Sequence, residues 1–217
     1  MSLLTPWGYK LTTANELTNF ITSSEFDNYT ASKFTGDSRI AANIPAATRA
    51  IQNYCSWHIY PNLECEMVYN IHDLRDSFIG SDLLIQLPAR FVTAINQILL
   101  DAVPGEEPGT WAGEETTDYE IDTTGLLRIF DVGCRNRRSK IRILYNAGLD
   151  DKQMDILKEL TAHRVVHAVT SSYGVTSEAA GGVSVSYNVA WAGNTRATAL
   201  ADDNKEILET YRVKGVY

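Results

Sequence analysis

The sequence predicts an α+β fold, in which helices near both ends of the chain flank a β-rich, antiparallel insertion. Three observations support this fold class. Apolar residues recur at helical spacing over Ile40–Cys55 and again over Met154–Val169. Between them, over Leu63–Gly148, the spacing changes to the alternation that is typical of strands.

The changes in spacing divide the chain into three parts. Residues 1–62 are expected to form N-terminal helices, and residues 63–148 the β-rich insertion. Residues 149–217 are expected to form C-terminal helices together with one strand or hairpin. We expect the N-terminal and C-terminal helices to pack together as one helical domain, because each has an apolar stripe that it must bury.

Two helices are predicted before the insertion. Residues Thr12–Ile21 fit a short amphipathic helix. A stronger helix follows Asp37 and Ser38, which are good N-cap residues, and it ends before Pro61. Pro45 lies inside this helix, and we expect it to kink the helix or to shift its start, since proline removes an intrahelical hydrogen bond.

The insertion contains six candidate strands. They are Cys65–Ile71, Leu83–Leu87, Ala94–Leu100, Tyr119–Asp122, Leu126–Phe130 and Lys140–Tyr145. The segment Asp101–Thr117 carries two prolines and three glycines, so the sequence predicts a long, mobile loop there.

The last part of the chain begins with a helix from Asp150 or Asp151 to about Ser172. After Gly181-Gly182, the run Val183–Val189 alternates as a strand does. This strand is either an exposed edge that could pair with another chain or one arm of an ordinary hairpin. A final helix is predicted over about Ala201–Val213.

Composition limits the classes of function. The chain has 217 residues, a net charge of −8 and a pI of about 5.0. Such acidity argues against general binding to nucleic acid or to anionic membranes, because both need a positive field. Three cysteines without a CxxC pair fit reduced thiols. With no apolar stretch of about 20 residues and no secretory signal, we expect a soluble, intracellular protein.

Candidate catalytic residues are few. His163 and His167 share one helix face, but a metalloprotease needs glutamate after the first histidine, where this chain has Arg164. Zinc also needs a third protein ligand. Cys55 and His58 lie three residues apart, yet Cys55 continues an apolar stripe and such cysteines are usually inert. Phosphate-binding and nucleophile-elbow motifs are absent, so we expect neither catalysis nor a cofactor or metal.

Charge is unevenly distributed along the chain. Between Asp101 and Asp122 there are eight acidic residues and no lysine or arginine. A basic group follows at Arg135, Arg137, Arg138, Lys140 and Arg142. These are either two solvated segments or complementary surfaces of neighbouring subunits, as in a head-to-tail ring. The basic group could also touch a nucleic-acid backbone in passing.

Several strings carry a resemblance to a known family. One is GDSRIAANIPAATRAIQNYCSWHIYP, a helix that ends in an aromatic-Cys-x-Trp-His string before a proline. The others are LLIQLPARFVTAINQILLD, GLLRIF with KIRILYNAGL, GVTSEAAGGVSVSYN and LETYR. In this order they resemble the head–tail connector (adaptor, or head-completion) family of tailed bacteriophages and prophages.

The resemblance implies a structural subunit, not an enzyme. Proteins of this family form a ring beneath the portal in the virion and extend the DNA channel. The partners implied are further copies of the chain, the portal, and a downstream head-completion or tail protein, with only passing DNA contact and no membrane. Before assembly, the subunit would be in the bacterial host cytoplasm, where a monomer is compatible with this function.

Candidate contact residues follow from this interpretation. Portal docking is assigned to the C-terminal residues Tyr211, Arg212 and Tyr217. Subunit contact or a position facing the channel is assigned to Arg135, Arg137, Arg138, Lys140, Val183, Val185 and Tyr187. The alternatives are another non-enzymatic virion part (a tail terminator or stopper), a metal-dependent enzyme that uses His163 and His167, and a host ligand-binding module.

Overall fold

The computed structural model describes residues 3–12, 17–105, 110–132, 139–170, 177–180, 183–186 and 202–213. These residues form two compact units. The sheet unit takes its described residues from Met1–Thr18, Cys55–Lys152 and Tyr211–Tyr217, and the helical unit takes its own from Asn19–Tyr54 and Gln153–Thr210.

The described residues of the sheet unit form two antiparallel sheets. Its strands are β1 (Leu3–Leu4), β2 (Lys10–Leu11), β3 (Leu63–Asn70), β4 (Phe78–Ile79), β5 (Asp82–Gln86), β6 (Val92–Pro104), β7 (Trp111–Glu115), β8 (Tyr119–Ile121), β9 (Leu126–Ile129) and β10 (Lys140–Ala147). The six-stranded sheet has the order β1-β2-β3-β10-β6-β7, and the four-stranded sheet has the order β4-β5-β9-β8. Short 3-10 helices cover Ile71–Ser77 and Asp151–Gln153.

The core of the sheet unit forms along β10, which lies between β3 and β6. Ile141, Ile143 and Tyr145 alternate along β10 and are fully buried. Tyr69 lies opposite Ile141 and therefore shares its face of the sheet. The Tyr69 hydroxyl donates to the Gln86 carbonyl oxygen of β5 at 3.3 Å. The apolar face of β10 is therefore the face on which the two sheets meet.

The described residues of the helical unit form four helices and a hairpin. They are α1 (Ser23–Tyr29), α2 (Arg39–Cys55), α3 (Asp155–Thr170), α4 (Asp202–Glu209), β11 (Ser177–Ala180) and β12 (Val183–Ser186). Its core brings together Ile21, Phe26, Ile40, Ile44, Ala47, Ala162, Val165 and Val169. An ion pair of 2.6 Å between Lys158 Nζ and Glu25 Oε1 joins α3 to α1.

The α+β fold class is confirmed, and each of the six predicted strands overlaps an observed strand. Pro45 does not set the start of α2, which begins at Arg39 and continues through the proline. Because proline has no amide hydrogen, the Ala41 carbonyl lacks its helical donor at this point.

The predicted helix over Thr12–Ile21 is wrong for residues 17–21, which are not helical. The nearby helix is α1, which Thr22 caps. The Glu25 amide donates to Thr22 Oγ1 at 3.2 Å, and the Thr22 amide donates to Glu25 Oε2 at 2.8 Å. This is a capping box. The Thr-x-x-Glu spacing indicates the start of this helix in the sequence, whereas apolar periodicity does not.

Replacing Thr22 with alanine is expected to destabilise the helical unit by about 1 kcal/mol, because it removes the cap of α1. The measurement is the urea midpoint of unfolding. Ser23→Ala is the matched control, since Ser23 is an exposed helical residue beside the cap. Equal midpoints for the two variants would show that the capping box contributes nothing.

The predicted mobile loop over Asp101–Thr117 is also wrong for most of the described residues. Strand β6 continues to Pro104 and pairs with β7 across a bulge between Leu100 and Val103. Gly113 lies in β7 at this point, where a Cβ atom would be 2.7 Å from the Leu100 carbonyl oxygen. The glycine therefore permits a close approach of two strands, and it does not mark a loop.

Candidate functional site

The C-terminal segment Tyr211–Val213 is held on the sheet unit by three hydrogen bonds. Trp57 Nε1 donates to the Tyr211 carbonyl oxygen at 2.6 Å, and the Val213 amide donates to the Cys55 carbonyl oxygen at 3.0 Å. Arg90 Nη1 donates to the Arg212 carbonyl oxygen at 3.4 Å. The segment contributes only backbone groups to these bonds, so they fix its path without involving its side chains.

Three aromatic rings lie in a row here, and the last of them belongs to Tyr211 of this segment. The fully buried ring of Trp57 stacks on Phe91, with centroids 6.1 Å apart and planes 24° apart. Phe91 in turn contacts Tyr211, with centroids 5.9 Å apart. Burial, reinforced by the nearby Cys55, raises the pKa of the Tyr211 phenol above its ordinary value. The row therefore extends from Trp57 in the core to the half-buried Tyr211 of the C-terminal segment.

Phe91 has an unusual backbone conformation, with φ of +53°. Bulky residues rarely adopt this region, and each such residue costs about 1–3 kcal/mol. Strain of this kind is common at binding sites, where the surrounding structure maintains it. We define Arg90, Phe91, Tyr211 and Arg212 as the C-terminal patch.

The strap, defined as residues Ser56–Asn62 between α2 and β3, supports this patch. His58 in the strap is fully buried, and both of its ring nitrogens are hydrogen-bonded. Nε2 lies 3.0 Å from the Ala147 carbonyl oxygen and must donate to it, so Nδ1 accepts from the Tyr9 hydroxyl at 2.7 Å. Burial lowers the pKa of His58 to about 4, which outweighs the opposite effect of its hydrogen bonds.

Of the four residues of the basic group assigned to subunit contact, only Lys140 lies within the described residues. It is half-buried and begins β10 opposite Asn70. Arg135, Arg137 and Arg138 lie outside the described part of the chain.

Arg142, the fifth member of the basic group, is buried. Its Nε is 3.4 Å from Glu66 Oε1, its Nη1 donates to Gln97 Oε1 at 2.9 Å, and its guanidinium lies 5.8 Å from the Trp111 ring centroid. Its guanidinium is therefore used within the sheet unit and is not part of an open basic surface.

Among the described residues, one member of the acidic segment (Glu115) and one of the basic group (Arg142) lie on strands to either side of β6. Arg142, two residues after the start of β10, is opposite Leu99, and Leu99 is opposite Glu115 of β7.

The strand predicted at Val183 is one arm of a hairpin in the chain's own fold. Strands β11 and β12 pair in antiparallel register from Ser177↔Ser186 to Ala180↔Val183, with Gly181-Gly182 between them. This places Val183 and Val185 in β12, while Tyr187 lies outside the described residues. In the part of the chain that the structure describes, no third strand joins this two-stranded sheet.

The histidine pair lies on α3, and both side chains are exposed. His163 Nε2 is 3.9 Å from Glu159 Oε1, and no group of three or more potential metal ligands occurs among the described residues. Cys55 is buried, and burial raises the pKa of Cys65 to about 12, so neither thiol is set up as a nucleophile.

None of the helices in the described ranges combines the length and the apolar character that crossing a membrane requires.

The sequence analysis missed Trp57, Arg90 and Phe91 as members of the site. Their signals were present, since Trp57 precedes His58 in the string before Pro61, and Arg90-Phe91 follows the Leu-Pro element. Nothing in the local pattern links either string to Tyr211, because the residues are more than 100 positions apart along the chain. The C-terminal residue Tyr217 lies outside the described residues.

Comparison with known proteins gives one family match. A family model described as "Head completion protein" matches residues 19–213, which include the whole C-terminal patch. A comparison with curated proteins finds no significant match.

Proposed function

Because the chain belongs to the head completion protein family, a structural family of the phage head, we propose that it forms a ring that connects the portal to the tail or to the next head-completion protein. The family places the protein in the virion and gives it a structural part in head assembly. In our proposal the ring also extends the DNA channel. The acidity of the chain, with a net charge of −8, suits a channel through which DNA slides, since phosphate binding depends on lysine and arginine contacts.

The observation that supports portal docking most directly is the geometry of the C-terminal segment. Its backbone is hydrogen-bonded to Trp57, Cys55 and Arg90, so its path is fixed before a partner is present. Preorganisation of this kind lowers the entropy lost on binding. We assign docking to Tyr211, Arg212 and Tyr217.

Contact between copies is assigned to two regions. One is the basic group Arg135, Arg137, Arg138 and Lys140, which alternatively faces the channel. The other is the β11–β12 hairpin with Val183, Val185 and Tyr187. An isolated two-stranded hairpin is marginally stable in water, and a further strand from a neighbouring copy would stabilise it.

The test is binding of the purified protein to the purified portal ring of the same phage, read by negative-stain images and by titration. Wild-type protein is expected to add a ring of density at one end of the portal. A chain that ends at Val213 is expected to bind at least tenfold more weakly, because it lacks Tyr217 while it keeps the three bonds of Tyr211–Val213.

A matched pair of tyrosine variants controls for nonspecific loss of an aromatic ring. Tyr217→Ala should weaken binding as the shortened chain does, whereas Tyr29→Ala, at an exposed position of α1, should not. If wild-type protein leaves the portal bare at high concentration and moderate salt, the connector proposal fails. A tail terminator or stopper would then be the better interpretation, and metal analysis would test the enzyme that uses His163 and His167.

A further inference from the structure

The C-terminal patch brings together residues from two distant parts of the chain. Arg90 and Phe91 precede β6, whereas Tyr211 and Arg212 follow α4. The bond from Arg90 Nη1 to the Arg212 carbonyl oxygen and the ring contact between Phe91 and Tyr211 join the two pairs. The result is a patch in which two arginines accompany two aromatic rings, on a chain that carries eight more acidic than basic residues.

We propose that Arg90 and Phe91 belong to the same docking surface as Tyr211 and Arg212, and that this surface takes a carboxylate-bearing protein segment of the portal. This inference rests on the proposed function, and it adds two binding residues and the chemistry of the partner. Arginine and tyrosine dominate the energy of protein interfaces, since each combines a large contact area with polar groups.

The state of Arg90 supports a carboxylate as the group that it recognises. Its Nη1 has only a long hydrogen bond of 3.4 Å to a neutral carbonyl oxygen. Its Nε has no hydrogen-bond acceptor among the described residues, but it is buried and so does not meet a partner. A guanidinium has five donors in a planar fork that matches the two oxygens of a carboxylate. The Nη donors of Arg90 have no strong acceptor among the described residues, so they are the donors left for a carboxylate of the partner.

A protein segment is favoured over DNA as the occupant. Duplex DNA is held by many phosphate contacts, and a surface with two arginines on an acidic chain provides few of them. The aromatic pair adds nothing to duplex binding, because the bases of a duplex are stacked inside it. At a protein interface, by contrast, Phe91 and Tyr211 supply apolar area beside the charge.

The experiment uses the full chain and the purified portal ring. Arg90→Glu is expected to weaken portal binding at least tenfold at low salt, because it places a carboxylate where the partner has one. The matched control is Arg49→Glu, which makes the same charge change at an exposed position of α2 and should bind within twofold of wild type. Raising the salt concentration should weaken wild-type binding more than that of Arg90→Glu.

Further variants separate docking from folding. Thermal unfolding is measured for each, and if Arg90→Glu does not fold, Arg90→Gln replaces it, with an expected loss of several-fold in affinity. Phe91→Asn removes the ring and keeps a residue that tolerates positive φ, and a loss of at least fivefold is expected.

The outcomes distinguish this inference from the proposed function. If wild-type protein does not bind the portal, both the connector proposal and this inference are wrong. If wild-type protein binds and Arg90→Glu binds as well as Arg49→Glu, the connector proposal stands and the inference is wrong. If a 30-base-pair duplex binds wild-type protein and Arg90→Glu abolishes that binding, the surface is a DNA site and not a protein-docking site.

Discussion

Replacing Gly148 with alanine is expected to destabilise the sheet unit by roughly 2–5 kcal/mol, from the left-handed backbone and the steric overlap together. Gly148 follows β10 with φ of +132°. A Cβ atom there would be 2.3 Å from the Pro61 carbonyl oxygen and 2.7 Å from the Asn62 Cα atom. Because both are backbone atoms of the strap, no side chain can rotate away to relieve the overlap. The measurement is the free energy of unfolding in urea.

Gly80→Ala separates the cost of the backbone conformation from the cost of the steric overlap. Gly80 also lies in the sheet unit and has φ of +67°, but nothing lies within 4 Å of a Cβ atom built on it. Its replacement should therefore cost only about 1–2 kcal/mol from the backbone conformation. If the Gly148 and Gly80 variants lose equal stability, the strap does not pack against Gly148 as closely as the structure has it.

Acidification from pH 6.5 to pH 4 is expected to destabilise the sheet unit by about 3 kcal/mol through His58 alone, at about 1.4 kcal/mol per pH unit over this interval. In the folded protein the pKa of His58 is lowered to about 4, and in the unfolded chain it is near the ordinary 6.5. Above pH 6.5 both states are neutral, so the stability is fully present. As the pH falls below 6.5, the unfolded chain binds a proton that the folded protein excludes, so stability is lost until pH 4.

The pH effect is measured from urea unfolding of the wild-type protein at intervals between pH 7.5 and pH 4. Carboxylates such as Glu25, whose pKa is lowered from 4.5 to about 2 mainly by its bond to Lys158, begin to lose their contribution only as the pH falls below about 4.5. A flat stability profile above pH 4.5 would mean that the imidazole is protonated or solvated in the folded protein.

The Gly148 substitution and the protonation of His58 both act on the strap, and the strap supports the C-terminal patch. Gly148 packs against Pro61 and Asn62, and its amide donates to the Phe91 carbonyl oxygen at 3.4 Å. His58 adjoins Trp57, whose ring lies beneath Phe91 and whose Nε1 binds the C-terminal segment. Under our proposal, the Gly148 variant should therefore also bind the portal less tightly than Gly80→Ala does.

Much of the fold could be predicted from the sequence, because the relevant signals are local. Alternation of Ile141, Ile143 and Tyr145 with Arg142 and Leu144 predicted β10, and the structure buries the three alternating residues. The prediction of a loop over Asp101–Thr117 failed because glycine occurs both in loops and where two strands approach closely. Gly113 was interpreted as a loop residue, but it lies in β7, where the adjacent strand leaves no room for a side chain.

The site was less predictable than the fold. Tyr211 and Arg212 were predicted from their position near the end of the chain. Their partners could not be predicted, because any residue type can accept a hydrogen bond at its backbone carbonyl oxygen. Arg142 shows the converse problem. It was grouped with Arg135 and Lys140 by charge, but its place on β10 between Glu66 and Gln97 gives it a structural role.

The sequence by itself determined the α+β class, the approximate places of six strands and the family, because periodicity and short strings are properties of neighbouring residues. Only the tertiary structure decided which residues form the C-terminal patch and which histidine excludes a proton. Both depend on contacts between residues far apart in the chain, such as Trp57 with Tyr211 and His58 with Tyr9. Burial and hydrogen-bond geometry arise only when the folded chain brings such residues together, so no local pattern could specify them.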